Sequence, residues 1–200
     1  MNFKSHLAMS NILIENLQDQ SDKRISKFFF KLGSLMPDIS PVSRVKEHHI
    51  SASKPYVEKF IIKSKAFEIK GFHLSYLMGK TSHYLSDTFC AAHNEIVGMS
   101  LPNHYLYEKA IARTLKVIKS DPLLNTLTKT KAFTQAMERC VVGYIIEKNE
   151  NYLIDHDGSR HIDNIIHDIT HTLIHSLHVL FAMMTGQPVP VDELFMVCLD

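Results

Sequence analysis

Apolar residues recur at intervals of three and four along most of the chain, the spacing of helices that each bury one face, and no convincing array of alternating strands interrupts them. Leu7, Ile12, Leu13 and Leu17 form one such stripe, and with Ser5 as N-cap they predict a first helix to about Leu17. A second is predicted from Ser21, again a capping residue, to about Leu35. There "GSLMPD" stops it, because Gly33 loosens the end and Pro37 disfavours helix in the residue before it. Helical patterning resumes near Tyr56 and runs to about Ala92 with a break near Gly71, and further helices fit 103–119, 129–148 and 160–184. Residues 37–55, "PDISPVSRVKEHHISASKP", form the longest irregular segment, of a length that is usually functional inside a compact domain. The pattern predicts an all-α fold, a single compact multi-helix domain over 1–200.

Composition changes this picture little. With 22 basic and 21 acidic residues the charge nearly cancels, so there is no strong nucleic-acid signature. The three cysteines, Cys90, Cys140 and Cys198, are odd in number and widely spaced, which excludes a disulfide framework and a cysteine-based zinc module. The first 20 residues show no apolar signal-peptide core and no later stretch reaches the length of a spanning helix. The expected location is cytoplasmic, or outside the cell by an export route that uses no such signal.

Histidine is the outlier, with 13 residues, and it is the commonest side-chain metal ligand. In "HYLSDTFCAAH", residues 83–93, His83 and Asp87 stand four apart and share one helix face. Alone, such a pair is explained better by a solvated surface than by a metal, because histidine and aspartate four apart are common by chance. The arrangement then recurs: His104 and Glu108, in "HYLYEKA", form a second pair on the next predicted helix, with His93 between the two. Imidazole and carboxylate so placed suit zinc, whose ligand bonds are about 2.0 to 2.2 Å long.

"HYLSDTFCAAH" resembles the central motif of the zinc-dependent phospholipase C family, in which a helix carries His-x-x-x-Asp and another His follows six residues later. His104 and Glu108 match that family's next ligand pair, "LGSLMPDISP" resembles its Gly-x-x-x-Pro-Asp segment, and "SHLAMSNILIENL" resembles its opening histidine-bearing helix. "HHI" at 48–50 stands in the place of its His-aromatic ligand. The likeness spans about residues 5–110 and implies an all-α domain holding two or three zinc ions, completed by the helices of 129–184. By position, a first zinc would take Asp38, His49 or His48, His83 and Asp87. A second would take His93, His104 and Glu108, and a third His6 with Asp87 as bridge. Secreted members use a terminal tryptophan on the third metal, and this chain has no tryptophan.

The resemblance implies phosphodiester hydrolysis: water activated by the metals attacks phosphorus, Asp38 orients or deprotonates it, and a phospholipid yields diacylglycerol and a phosphorylated head group. The implied partner is a phospholipid, met in transient contact with a membrane surface. Two alternatives accompany it. The zinc-dependent single-strand nucleases are similar, but usually close the second zinc with Asp where this chain has Glu108. A non-catalytic metal- or membrane-binding effector would keep the fold without turnover.

Other features read as structural. His167, His171, His175 and His178 fall on one stripe of a helix whose opposite side is apolar, and are expected on a solvated face, with a cleft lining as the alternative. "DHDGSRH" at 155–161 reads as a turn, His73 as a core or ligand-supporting histidine, Cys90 as packing, and the Met-rich tail, with Met183, Met184 and Met196, as core.

Overall fold

The computed structural model describes residues 1–19, 24–40, 55–60, 70–94, 97–118, 141–154, 156 and 158–185. Among them every regular element is helical: α1 (Phe3–Asp19), α2 (Lys27–Ile39), α3 (Gly71–Thr88), α4 (Leu101–Ile118), α5 (Val141–Ile154) and α6 (Ile162–Thr185). A 3-10 turn, Ala91–His93, joins α3 to α4, and residues 55–60 add a short helical segment. The fold is all-α, as the periodicity predicts.

Helix α1 begins one turn earlier than expected. The cap is Asn2 and not Ser5, since Asn2 Oδ1 accepts the Ser5 N–H at 3.0 Å and so satisfies a donor of the first turn. Met9, Leu13 and Leu17 then lie on the buried face, and full burial of each leucine contributes roughly 1.5 to 3 kcal/mol. His6 and Ser10 share the buried side of the helix, which carries chemistry into the core.

Helices α2 and α3 run parallel. The Ser26 N–H meets Ser75 Oγ at 3.0 Å near their starts, and the Ser34 carbonyl oxygen meets His83 Nδ1 at 2.9 Å two turns on. Their backbones touch because each brings a glycine to the crossing. A Cβ on Gly33 would collide with the Tyr76 carbonyl oxygen, and one on Gly79 with the Phe30 carbonyl oxygen. Gly33 therefore serves close packing and does not end α2, which also passes through Pro37 to Ile39. Proline removes one helical hydrogen bond there, but the Ser40 N–H still closes the last turn on the Met36 carbonyl at 2.9 Å. As a result Asp38 rides on a helix rather than on a loop.

Ser21, 41–54 of the irregular segment, 119–140, Cys140, Met196 and Cys198 lie outside the described residues. Gly71, with φ of 61°, makes the expected break before α3. His73 is exposed beside Phe72 and supports no ligand, because it points away from the core at the first turn of α3. Met183 and Met184 are buried in the core, and Cys90 is buried.

The histidine stripe of α6 is not solvated. His175 and His178 are buried, and Tyr144 of α5 sits between them, its hydroxyl 2.7 Å from His175 Nδ1 and in short contact with His178 Nδ1. Tyr152 stacks on His167 at 5.3 Å, and Phe89 lies 4.6 Å from His175. A helical wheel shows which residues share a face; it does not show that α5 covers that face with Tyr144, which bonds two ring nitrogens, and Tyr152, which stacks on a third ring.

Burial pushes His175 down to about 2, with His171, His178 and Lys148 adding to it, and pushes His178 down to about 4, with Lys148 adding. A histidine near 6.5 when unfolded then takes up a proton on unfolding, so stability falls as the pH drops below about 6.5. Each ring contributes a slope of up to about 1.4 kcal/mol per pH unit until its folded value is reached. Urea unfolding between pH 7 and pH 5 is expected to show this loss. His178→Asn should make the slope shallower by one proton, and an unchanged slope would contradict the assignment.

Candidate metal centre

Four helices and one turn converge on the centre. α1 supplies His6, the last turn of α2 Asp38, α3 His83 and Asp87, the 3-10 turn His93, and α4 His104 and Glu108. All four rings direct Nε2 at carboxylates. His83 Nε2 is 3.3 Å from Asp87 Oδ2 and 3.7 Å from Asp38 Oδ1, and His6 Nε2 is 3.5 Å from Asp87 Oδ1 and 4.0 Å from Asp38 Oδ2. His93 Nε2 lies 3.6 Å from Asp87 Oδ1 and 3.1 Å from Glu108 Oε1, which is also 3.0 Å from His104 Nε2. Donor atoms of His6, His83 and Asp87 lie within 4.8 Å of one another, as do those of His93, His104 and Glu108. Asp87 stands between the two groups.

The interior of the centre is closed and one side is open. His83, Asp87 and His6 are buried, whereas Asp38 retains 33% of its side-chain exposure and His104 is also partly exposed.

The protonation pattern bears on what the centre holds. His83 Nδ1 faces the Ser34 carbonyl oxygen at 2.9 Å, an acceptor only, so Nδ1 carries a proton and Nε2 is the nitrogen turned to Asp87 and Asp38. Nε2 between two carboxylates is favourable as an N–H donor of the charged ring, and on loss of that proton it offers a lone pair to a cation held by the same carboxylates. A backbone carbonyl that fixes a ring in this way is the usual outer support of a metal-bound histidine. Burial alone would raise the Asp87 pKa, but His93, the Met1 ammonium, His83 and His6 outweigh it and hold the carboxyl well below the usual range. Burial likewise opposes ionisation of Glu108, and hydrogen bonds from His104 and His93 with the Met1 ammonium reverse it, lowering its pKa. Nitrogen and carboxylate oxygen together make the donor chemistry of zinc.

The sequence reading missed one group. The Met1 amino group is fully buried in the centre, in short contact with Asp87 Oδ1, 2.6 Å from His93 Nε2 and 3.5 Å from Glu108 Oε1. Asn2 Nδ2 anchors this end by donating to the Glu108 carbonyl oxygen at 3.0 Å. No side-chain pattern announces a main-chain amine. His48 and His49 lie outside the described residues. Cys90 is buried in the core, and burial raises its thiol well above its ordinary value.

The family of zinc-dependent phospholipases C matches residues 5–154. The chain belongs to that family. No curated protein and no solved structure matches the chain. The zinc-dependent phospholipase C match takes in Asp38, His83, Asp87, His93, His104 and Glu108 together with His6, so it spans every described side chain of the centre and stops before α6. Among the described residues no helix is long and apolar enough to cross a membrane.

Proposed function

We propose that the protein is a zinc-dependent phospholipase C that hydrolyses the phosphodiester between diacylglycerol and a phosphorylated head group. The observation that carries this reading is Nε2 of His83, held towards Asp87 and Asp38 by the Ser34 carbonyl on Nδ1, a nitrogen and carboxylate grouping that suits a metal cation. Asp38, His83 and Asp87, with His48 or His49, would hold one zinc; His93, His104 and Glu108 a second; and His6 and Asp87 a third, with the Met1 amine beside it. Zinc bound by these residues would supply Lewis acidity, lowering the pKa of water and offsetting charge on the phosphoryl oxygens.

The chain's own residues do the rest. Asp38, partly exposed at the open side, is placed to orient the attacking water and accept its proton. Its seat in the last turn of α2 adds the negative end of a helix dipole to a site built for cations. His104 and Glu108 border the opening, while the buried pair His6 and His83, their rings stacked at 4.0 Å, keeps water from the inner side.

Metal analysis after mild purification is expected to return two or three zinc ions per chain, and fewer than one would end this reading. Release of phosphocholine from a phosphatidylcholine emulsion, set against release of nucleotides from single-stranded DNA, tests the substrate. Head-group release without nucleotide release is the expected result. Nucleotide release would favour the related nucleases, and activity on neither substrate a non-catalytic effector.

A further inference from the structure

Helix α6 lies beyond the family match, yet it sends a buried carboxylate to the back of the metal centre. Asp168 Oδ2 accepts the Ala91 N–H at 3.0 Å and the Tyr107 hydroxyl at 2.9 Å. Its Oδ1 accepts the Tyr152 hydroxyl at 2.6 Å and faces His156 Nε2 at 2.9 Å. Two of these partners adjoin metal-centre residues. Ala91 opens the turn that ends in His93, and Tyr107 immediately precedes Glu108 on α4. The end of α3 that leads into this turn is tied down by Asn149 of α5, whose Nδ2 donates to the Thr88 carbonyl at 2.7 Å, and by Thr172 of α6, whose hydroxyl donates to the Phe89 carbonyl at 3.3 Å.

His156, His167 and Asp168 also bring donor atoms within 4.8 Å of one another. A metal ion is not what this group is arranged for. The Gly158 N–H donates to His156 Nδ1 at 2.9 Å, so Nδ1 is the acceptor and the ring proton sits on Nε2, directed at Asp168. Both nitrogens of His156 are then engaged, one by a backbone N–H and one by a single carboxylate, whereas Nε2 of His83 faces two carboxylates. Buried Asp168 is instead the centre of a hydrogen-bonded network joining α4, α5, α6 and the turn.

We propose that Asp168 is a positioning residue for the zinc held by His93, His104 and Glu108, and sets the affinity of that ion by fixing the turn under His93 and the helix under Glu108. The proposal rests on the zinc reading given above. Groups that orient metal ligands without touching the ion typically change affinity by about 10- to 100-fold.

The test is graded dialysis of the purified zinc protein against a chelator, counting zinc retained per chain, beside a thermal melt. In Asp168→Asn one zinc is expected to leave at a chelator concentration about 10- to 100-fold lower than in the native chain, the others leaving as before. Tyr107→Phe should shift the same zinc in the same direction by less. Tyr152→Phe removes a hydrogen bond to the same carboxylate but has no neighbour in the metal centre, and should lower the melting temperature while releasing zinc like the native chain. If Asp168→Asn does not fold, the contrast between the two tyrosine variants decides. Native zinc release in both Asp168→Asn and Tyr107→Phe, or equal loss in the two tyrosine variants, would overturn the proposal while leaving the zinc reading intact. A native chain without zinc would overturn both.

Discussion

Asp87→Asn is expected to remove at least one zinc per chain and to reduce phospholipid hydrolysis by about a thousandfold. Its carboxylate is the only one within 3.6 Å of Nε2 on all three of His6, His83 and His93 among the described residues, and it also contacts the Met1 amine. Asparagine keeps the size but loses the charge, and can turn only one oxygen to the centre, so it cannot bridge. Losing a catalytic metal forfeits several kcal/mol of transition-state stabilisation, and roughly 4 kcal/mol is about three decades of rate. Metal analysis and head-group release on the same preparation check this. A variant with native zinc content and native rate would exclude Asp87 from the centre.

A second large effect is expected at the crossing of α2 and α3. Gly79→Val places a Cβ against the Phe30 carbonyl and the Ser34 nitrogen, and the obstacle is backbone that no rotamer change can move. The helices must separate, and overpacking of this kind costs about 3 kcal/mol, the upper part of the usual range. For a chain of this length that corresponds to a fall in melting temperature of roughly 6 to 12 °C. Separation also pulls Asp38 away from His83 and stretches the bond from the Ser34 carbonyl, so zinc affinity is expected to drop with stability. Calorimetry and metal analysis follow the two effects, and a stable variant that kept its zinc would show the backbones to be less closely bound than the structure has them.

The parts of the centre legible in the sequence are those that sit on one helix. His83 with Asp87 and His104 with Glu108 are pairs four residues apart, and a helix period alone predicts that each pair shares a face. Which elements meet was not legible from spacing, and came only through the likeness of ordered motifs. Where proline and glycine predict a stop, tertiary packing prevails: Pro37 stays helical in a helix clasped to α3, and Gly33 is there for that clasp. The amine of Met1 and the carboxylate of Asp168 carry no local signature, since their partners are 86 and 77 residues distant in the chain. The histidine stripe was seen, but not the tyrosines that cover it.

The bond between His83 and Ser34 has a consequence for how such a site endures sequence change. The acceptor is a main-chain carbonyl, present whatever residue occupies position 34. Substitution there disturbs the hydroxyl contacts of Ser34 with Ser10 and Lys31 but leaves the imidazole in the same tautomer. The ring's readiness to bind a cation is thus inherited with the helix pairing and not with any one side chain. Exchange of Ser34 for another small residue leaves it untouched, whereas a single added methyl group at the glycine crossing puts it at risk.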